Sequence, residues 1–153
     1  MKHQKFIFKL VLLFLLICNV KSVLSQEEGL LNKTKSQIKL TETKQLYLQG
    51  NIKTALLNYK EIIALNPSIP KAHFGISRCY YKLHDYKKAK YHAEIAEKNN
   101  PKVDEDLYYL LGEIYFRLEK LKKSKTSYEK FVSEIKSKQK IKDYSIDLKI
   151  SQL

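Results

Sequence analysis

Asn66-Pro67 recurs 34 residues later as Asn100-Pro101, and the residues around that pair recur with it. At the same offset Tyr47-Leu-Gln-Gly-Asn-Ile-Lys-Thr-Ala55 aligns with Tyr81-Lys-Leu-His-Asp-Tyr-Lys-Lys-Ala89. A further shift of 35 lays Tyr81 to Lys90 on Phe116-Arg-Leu-Glu-Lys-Leu-Lys-Lys-Ser-Lys125. Three copies result, over 36–69, 70–103 and 105–138. A period of this size marks a stacked array, in which no single unit can bury its apolar face and stability comes from neighbour packed on neighbour.

Each copy reads as two helices and a tight turn. In the second, Ala72, Ile76, Cys79, Tyr80 and Leu83 recur at three- and four-residue steps, and Tyr86, Ala89, Ala93 and Ala96 do so again. Those are two amphipathic stripes. Asp85 between them is placed to cap the second helix, and Pro101 ends it because the residue before proline avoids the helical region. Four Gly and three Pro in 153 residues leave little material for a turn-rich β fold.

These residues resemble the tetratricopeptide (TPR) family, whose unit is a 34-residue helix-turn-helix. The small residue of its first helix is matched by Thr43, Ser77 and Gly112, and the large one a turn later by Leu46, Tyr80 and Tyr115. In the second helix the small residue is Ala55, Ala89 and Ser124. The bulky residue after it is Tyr59 and Tyr128, with Ala93 departing, and the closing proline is Pro67 and Pro101. The resemblance covers about two-thirds of the chain. It implies an all-α fold, a short right-handed α-solenoid, in which small residues let helices approach and aromatics fill the wedge between repeats.

The departures carry expectations too. The interhelix turn has Gly50 in copy one, but His84 and Glu119 stand in the equivalent places, where a left-handed backbone costs about 1 kcal/mol without Gly. Copy three lacks both the acidic cap and the closing proline, so its second helix is expected to run on through Lys136 toward Lys142. The first helix of copy one, Gln37 to Leu48, is weakly apolar and partly a cap. Residues 26–35 form a polar leader or frayed helix, and 139–153 a capping segment. Within that segment Ile141, Tyr144 and Leu148 favour a helix, while Tyr144, Ile146, Leu148 and Ile150 alternate as a strand would.

Ahead of the repeats, a cationic stretch from Met1 to Lys9 precedes the apolar run Leu10 to Cys18 and a more polar stretch ending at Ser25. That order is a secretory signal over 1–25. Val23 and Ser25 suit cleavage before Gln26, with cleavage after Ser22 or an uncleaved membrane anchor as alternatives. The run falls short of the roughly 20 residues a span needs. Ile17 before Cys18 does not match a lipidation box. The expected destination is periplasmic or secreted. In a eukaryotic host Asn32-Lys33-Thr34 would be a glycosylation sequon and the destination extracellular or luminal.

The net charge is +13; Lys2, Lys5, Lys9 and Lys21 contribute four of it, leaving +9 on a chain that begins at Gln26. Only Arg78 and Arg117 are arginines, so the planar fork that reads bases and grips phosphates is scarce and no nucleic acid is expected. A lysine-coated helical surface explains the charge, with binding to anionic lipid or cell-wall polymer as the alternative function. Cys79, the one cysteine left after cleavage, can form no internal disulfide and reads as a core residue.

No phosphate loop, paired-cysteine metal site or zinc-protease motif occurs, and His73, His84 and His92 fall on two helices and a turn. We therefore expect no catalysis, no cofactor and no metal. By resemblance, the first helix of each pair lines a concave face that receives a peptide or helix of a protein partner. Setting aside the core stripe leaves Lys71, Phe74, Arg78, Tyr81 and Lys82 in copy two, and Tyr109, Glu113, Phe116 and Arg117 in copy three. Leu40, Lys44 and Tyr47 correspond in copy one. Aromatics interleaved with cations suit a peptide with apolar anchors and acidic residues. Alternatively these aromatics pack on neighbouring repeats or on the C-terminal segment. Leu40 and Lys44 stand where chaperone-binding members have a Lys and an Asn, so that particular partner is not implied.

Overall fold

The computed structural model describes the backbone of residues 2–135 and 138–153, and the side chains of residues 20–21, 26–27, 29–135, 139 and 141–153. Eight helices occupy the described residues and no strand does: α1 (Lys2–Leu48), α2 (Ile52–Leu65), α3 (Pro70–Lys82), α4 (Tyr86–Asn99), α5 (Leu107–Arg117), α6 (Leu121–Glu134), α7 (Lys138–Asp143) and α8 (Ile146–Ser151). Two compact units divide the chain, Met1–Gln37 and Ile38–Leu153.

The first unit is the N-terminal part of α1. Within it the hydroxyls of Thr34 and Ser36 donate to the carbonyls of Leu30 and Asn32, one turn back. Leu30 and Leu31 are exposed. Most side chains of the expected signal, Cys18 included, lie outside the described residues. Among the described residues no helix is long and apolar enough to cross a membrane.

The second unit carries the repeats as antiparallel pairs, the end of α1 with α2, α3 with α4, and α5 with α6. The three interhelix turns share one geometry. Gly50, His84 and Glu119 have φ of 85°, 60° and 57°. In each turn that residue's N–H reaches the carbonyl three residues back, and the following N–H reaches the carbonyl five back: Asn51 to Leu46 at 2.9 Å, Asp85 to Tyr80 at 3.0 Å and Lys120 to Tyr115 at 2.8 Å. These are Schellman motifs, which close the helix end by satisfying its last carbonyls. Only one of the three uses the residue that adopts the conformation without strain. Asp85 caps α4 as expected, its carboxylate accepting from the Lys88 N–H at 3.1 Å, whereas Lys120 at the N-cap of α6 makes no side-chain cap bond.

The small positions sit where helices touch. Ser77 donates its hydroxyl to the Ala89 carbonyl across the α3–α4 pair at 2.8 Å. In copy three the same bridge is reversed, and Ser124 of α6 donates to the Gly112 carbonyl of α5 at 2.9 Å. A Cβ on Gly112 would lie 2.4 Å from the Tyr128 ring, and one on Gly75 would lie 2.3 Å from the Tyr59 ring. Gly75, absent from the small-residue pattern, is thus the seat for Tyr59 of the preceding copy. The corresponding residues at the next junction are Ala93 and Leu110, both buried. Large and small have changed sides there, which accounts for Ala93 departing from the repeat pattern.

One expectation about the third copy fails. Its second helix does not run on: α6 stops at Glu134, and Ile135 is extended at φ −84°, ψ 131°. The chain resumes as two short helices, so 141–150 is helical and not a strand. Between them Ser145 adopts the left-handed conformation, φ 50°, ψ 40°. That residue turns the chain so that Ile146 is fully buried in the core of the second unit.

Candidate functional site

The first helices of the pairs bring their second stripes to one cleft of about 230 Å³. At one end the Arg78 guanidinium lies 4.3 Å from the centre of the Tyr47 ring and 5.7 Å from that of Phe74. The aliphatic stem and planar head of arginine suit such stacking. Among the described residues no carboxylate pairs with Arg78. Of the nine residues expected to line the groove, Phe74, Arg78, Tyr81, Lys82, Tyr109 and Glu113 do so. Lys71, Phe116 and Arg117 do not: all three are exposed. In copy one Tyr47 joins the lining, Lys44 is exposed and Leu40 is buried with the core.

The other end of the cleft is built around Glu113. Its carboxylate accepts from Tyr81 of α3 at 2.9 Å, from Tyr128 of α6 at 2.6 Å and from the ammonium of Lys149 of α8. Lys149 also donates to the Tyr109 hydroxyl at 2.9 Å and lies 4.7 Å from the Tyr109 ring centre and 5.7 Å from that of Tyr128. Beside it the Tyr144 ring stacks on Tyr109, centres 4.2 Å apart and planes 17° from parallel. Burial pushes the Glu113 carboxyl up, but the hydrogen bonds from Lys149, Tyr128 and Tyr81 outweigh it and hold the group below its ordinary value. Lys149 balances similarly: burial lowers it, and its bonds to Glu113 and Tyr109 carry it above the usual lysine range. Burial, reinforced by the Glu113 charge, raises the Tyr81 hydroxyl to about 12. Near neutral pH these shifts keep Glu113 and Lys149 charged and the Tyr81 hydroxyl protonated.

Sequence reasoning missed Tyr144, Lys149, Asp106 and Leu110 of the lining and its neighbours. A signal for Lys149 existed: Ile146, Lys149, Ile150 and Leu153 fall at i, i+3, i+4 and i+7, so one lysine interrupts an otherwise apolar face. Of the copy-three aromatics, Tyr109 packs on the C-terminal segment through Tyr144, while Phe116 is exposed. In copy two Phe74 is buried with the core and Arg78 lies over Tyr47 of the neighbouring repeat.

Two of the described histidines meet between α3 and α4. His73 Nδ1 and His92 Nδ1 are 3.0 Å apart, their rings stacked at 5.3 Å, and His73 Nε2 lies 2.9 Å from the Pro67 carbonyl. One tautomer pattern satisfies both contacts: His73 donates Nε2–H to Pro67 and accepts at Nδ1 from His92. Burial, followed by the charges of His73 and Lys60, pushes His92 down to about 4. No group of three or more His, Cys, Asp or Glu side chains suited to a metal occurs among the described residues. Cys79 is buried and free, its thiol raised by burial to about 12, and it is inert packing.

The family model of the tetratricopeptide repeat protein 21 second ARM domain matches residues 2–143. The chain belongs to this family. Solved TPR structures share the fold of this tetratricopeptide-type chain. YrrB, described as a TPR protein with an unusual peptide-binding site, is 25% identical and superposes over 62% of this chain with a TM-score of 0.58; the chain covers 48% of YrrB, about half its length. The first TPR of Spaghetti (RPAP3), solved bound to the HSP90 peptide SRMEEVD, is 22% identical over 78% of this chain and 92% of its own, TM-score 0.66. The Arabidopsis OM64 TPR domain is 16% identical over 79% of this chain and 95% of its own, TM-score 0.68. No curated protein matches the sequence.

Proposed function

We propose that this tetratricopeptide-type chain is a non-catalytic scaffold that holds an extended or helical segment of another protein in the cleft between α3 and α5. The observation that carries the reading is Arg78. It is half-buried, lies over the Tyr47 and Phe74 rings and has no carboxylate partner among the described residues, with exposed Lys82 beside it on the lining. A guanidinium fixed in that way offers two parallel donors to an Asp, Glu or terminal carboxylate. The half-buried Tyr47 ring, backed by the buried Phe74, offers the apolar surface that anchors the same segment. The peptide site of YrrB and the peptide bound to the first Spaghetti TPR support a peptide as the class of partner.

The test is selection of peptides from a random display library on the purified chain, followed by titration against two variants. Selected peptides are expected to carry an acidic residue next to an apolar one, and to lose at least tenfold in affinity with Arg78→Glu. Phe116→Ala, outside the cleft, is expected to bind as the wild type does. Equal affinity for the Arg78→Glu variant would remove the cleft from the mechanism. We further propose that the scaffold acts outside the cytoplasm, on the strength of the cationic, apolar and small-residue order over 1–25. Cell fractionation with N-terminal sequencing tests this, and a cytoplasmic chain beginning at Met1 would overturn it.

A further inference from the structure

We infer that the Glu113 end of the cleft is a receptor for a lysine presented beside an aromatic ring, occupied in cis by Lys149 and Tyr144 until a partner segment of the same chemistry takes their place. The inference rests on the groove reading above and gives that groove a second subsite of opposite charge to Arg78.

Three observations carry it. The first is the chemistry of the cage. An ammonium sits between a carboxylate, a phenol oxygen and the faces of two rings, so charge, hydrogen bonds and ring quadrupoles all select a cation. An anion or a neutral apolar group satisfies none of them. The second is that the cage is aimed without its occupant. Glu113 is oriented by Tyr81 from α3 and Tyr128 from α6, and the Tyr128 ring is seated on Gly112. Withdrawal of the C-terminal segment leaves a carboxylate held by two phenols and in need of a cation.

The third is that the occupant is lightly held. The C-terminal segment consists of two helices of six residues each, well below the length at which a helix sustains itself. They meet at Ser145 in a conformation unfavourable for a residue with a side chain. Among the described residues of the segment only Ile146 is fully buried; Ile141, Tyr144, Ile150 and Leu153 are half-buried against the core and Leu148 is 59% exposed. A segment with one fully buried anchor opens locally at lower cost than the helix pairs it covers.

The probe is a fluorescein-labelled synthetic peptide with the sequence of residues 139–153, titrated by anisotropy against the full-length chain. Wild type, already occupied, is expected to bind it weakly. Tyr144→Ala with Lys149→Ala vacates the cage and is expected to bind at least tenfold more tightly, and adding Glu113→Gln to that variant returns binding to the wild-type level. A probe with Ala at the position of Lys149 should bind no variant. Circular dichroism checks each fold. Should the double variant unfold, Lys149→Gln alone keeps the segment's apolar anchors and is titrated in its place, with the same ordering expected. Equal probe binding in the wild type and the vacated variant, or a gain that survives Glu113→Gln, overturns the inference. Arg78→Glu separates the two readings: it is expected to abolish acidic-peptide binding and to leave the basic probe unaffected. A chain that binds the acidic peptides but never the basic probe would keep the proposed function and lose this subsite.

Discussion

Copies two and three of the array use the same helix geometry to opposite electrostatic ends. In copy two the exposed stripe of α3 carries a cation, Arg78, packed on rings and left unpaired by any described carboxylate. In copy three the stripe of α5 carries an acid, Glu113, buried at 9% exposure and already engaged by three donors from three other helices. The difference shows what a repeat fixes and what it leaves free. The period fixes backbone, turn and small-residue contacts. The stripe facing the groove is under no such constraint, and one end of the cleft can be open while the other is filled by the chain's own C-terminus.

The largest expected effect falls on the filled end. Glu113→Ala leaves Lys149 partly buried without its counter-charge and two tyrosine hydroxyls without their acceptor. A loss of about 3 kcal/mol in unfolding free energy is expected by urea titration. Arg78→Ala, at the open end, removes only ring stacking and should cost about 0.5–1 kcal/mol. Equal costs would mean that the two ends are not different in kind. Next come the glycines under the tyrosines. Gly112→Ala places a Cβ against a ring pinned by the Glu113 bond and is expected to cost about 2–3 kcal/mol. Gly75→Ala meets Tyr59, for which no side-chain hydrogen bond occurs among the described residues, so that ring can shift at about 1–2 kcal/mol.

Acid separates the copies by window. In copy two, burial and the His73 and Lys60 charges hold His92 at about 4 against an ordinary 6.5. The folded state therefore binds fewer protons than the unfolded one between those values, and stability falls as pH drops from about 6.5 toward 4. The loss should be on the order of 1–2 kcal/mol, less than the full shift would give because the ring is partly open to water. In copy three the Glu113 carboxyl is held below its ordinary 4.5. Its contribution stays intact above 4.5 and fades only as pH passes down through the lowered value. Unfolding midpoints at pH 7, 4 and 2.5 should thus show His92→Phe flattening the first interval and leaving the second. A variant that flattened both would couple the two copies.

The helix pairs, the Asp85 cap and the three left-handed turns were legible because each depends on residues within a few positions of one another. The same holds for Phe74, Arg78 and Tyr81, which one helical period places on one face of α3. Lys149 and Tyr144 were not legible in the same way. They meet α5 across 36 and 38 residues, a pairing no local pattern encodes. Ser145 breaks the helix between them, so the apolar stripe changes phase there, and the alternation of Tyr144, Ile146, Leu148 and Ile150 imitates a strand. The run-on expected of α6 failed for a related reason. Neither proline nor glycine marks Ile135, and the fold-back of the segment after it ends the helix.

The smallest contrast lies in the turns. His84 and Glu119 both occupy the left-handed region, which costs a residue with a Cβ on the order of 1 kcal/mol, whereas glycine there gives back about 0.4–1 kcal/mol through the greater freedom of the unfolded chain. The balance turns on what the side chain does. His84 Nδ1 lies 2.9 Å from the Tyr86 hydroxyl, with the rings edge to face, and His84→Gly forfeits that contact. Its net change should be near zero. For Glu119 no side-chain hydrogen bond or ion pair occurs among the described residues, so Glu119→Gly should stabilise the chain by about 0.5 kcal/mol. Urea midpoints measured side by side decide it. A gain at His84 equal to that at Glu119 would mean that the Tyr86 contact contributes nothing and that the two turns differ in sequence alone.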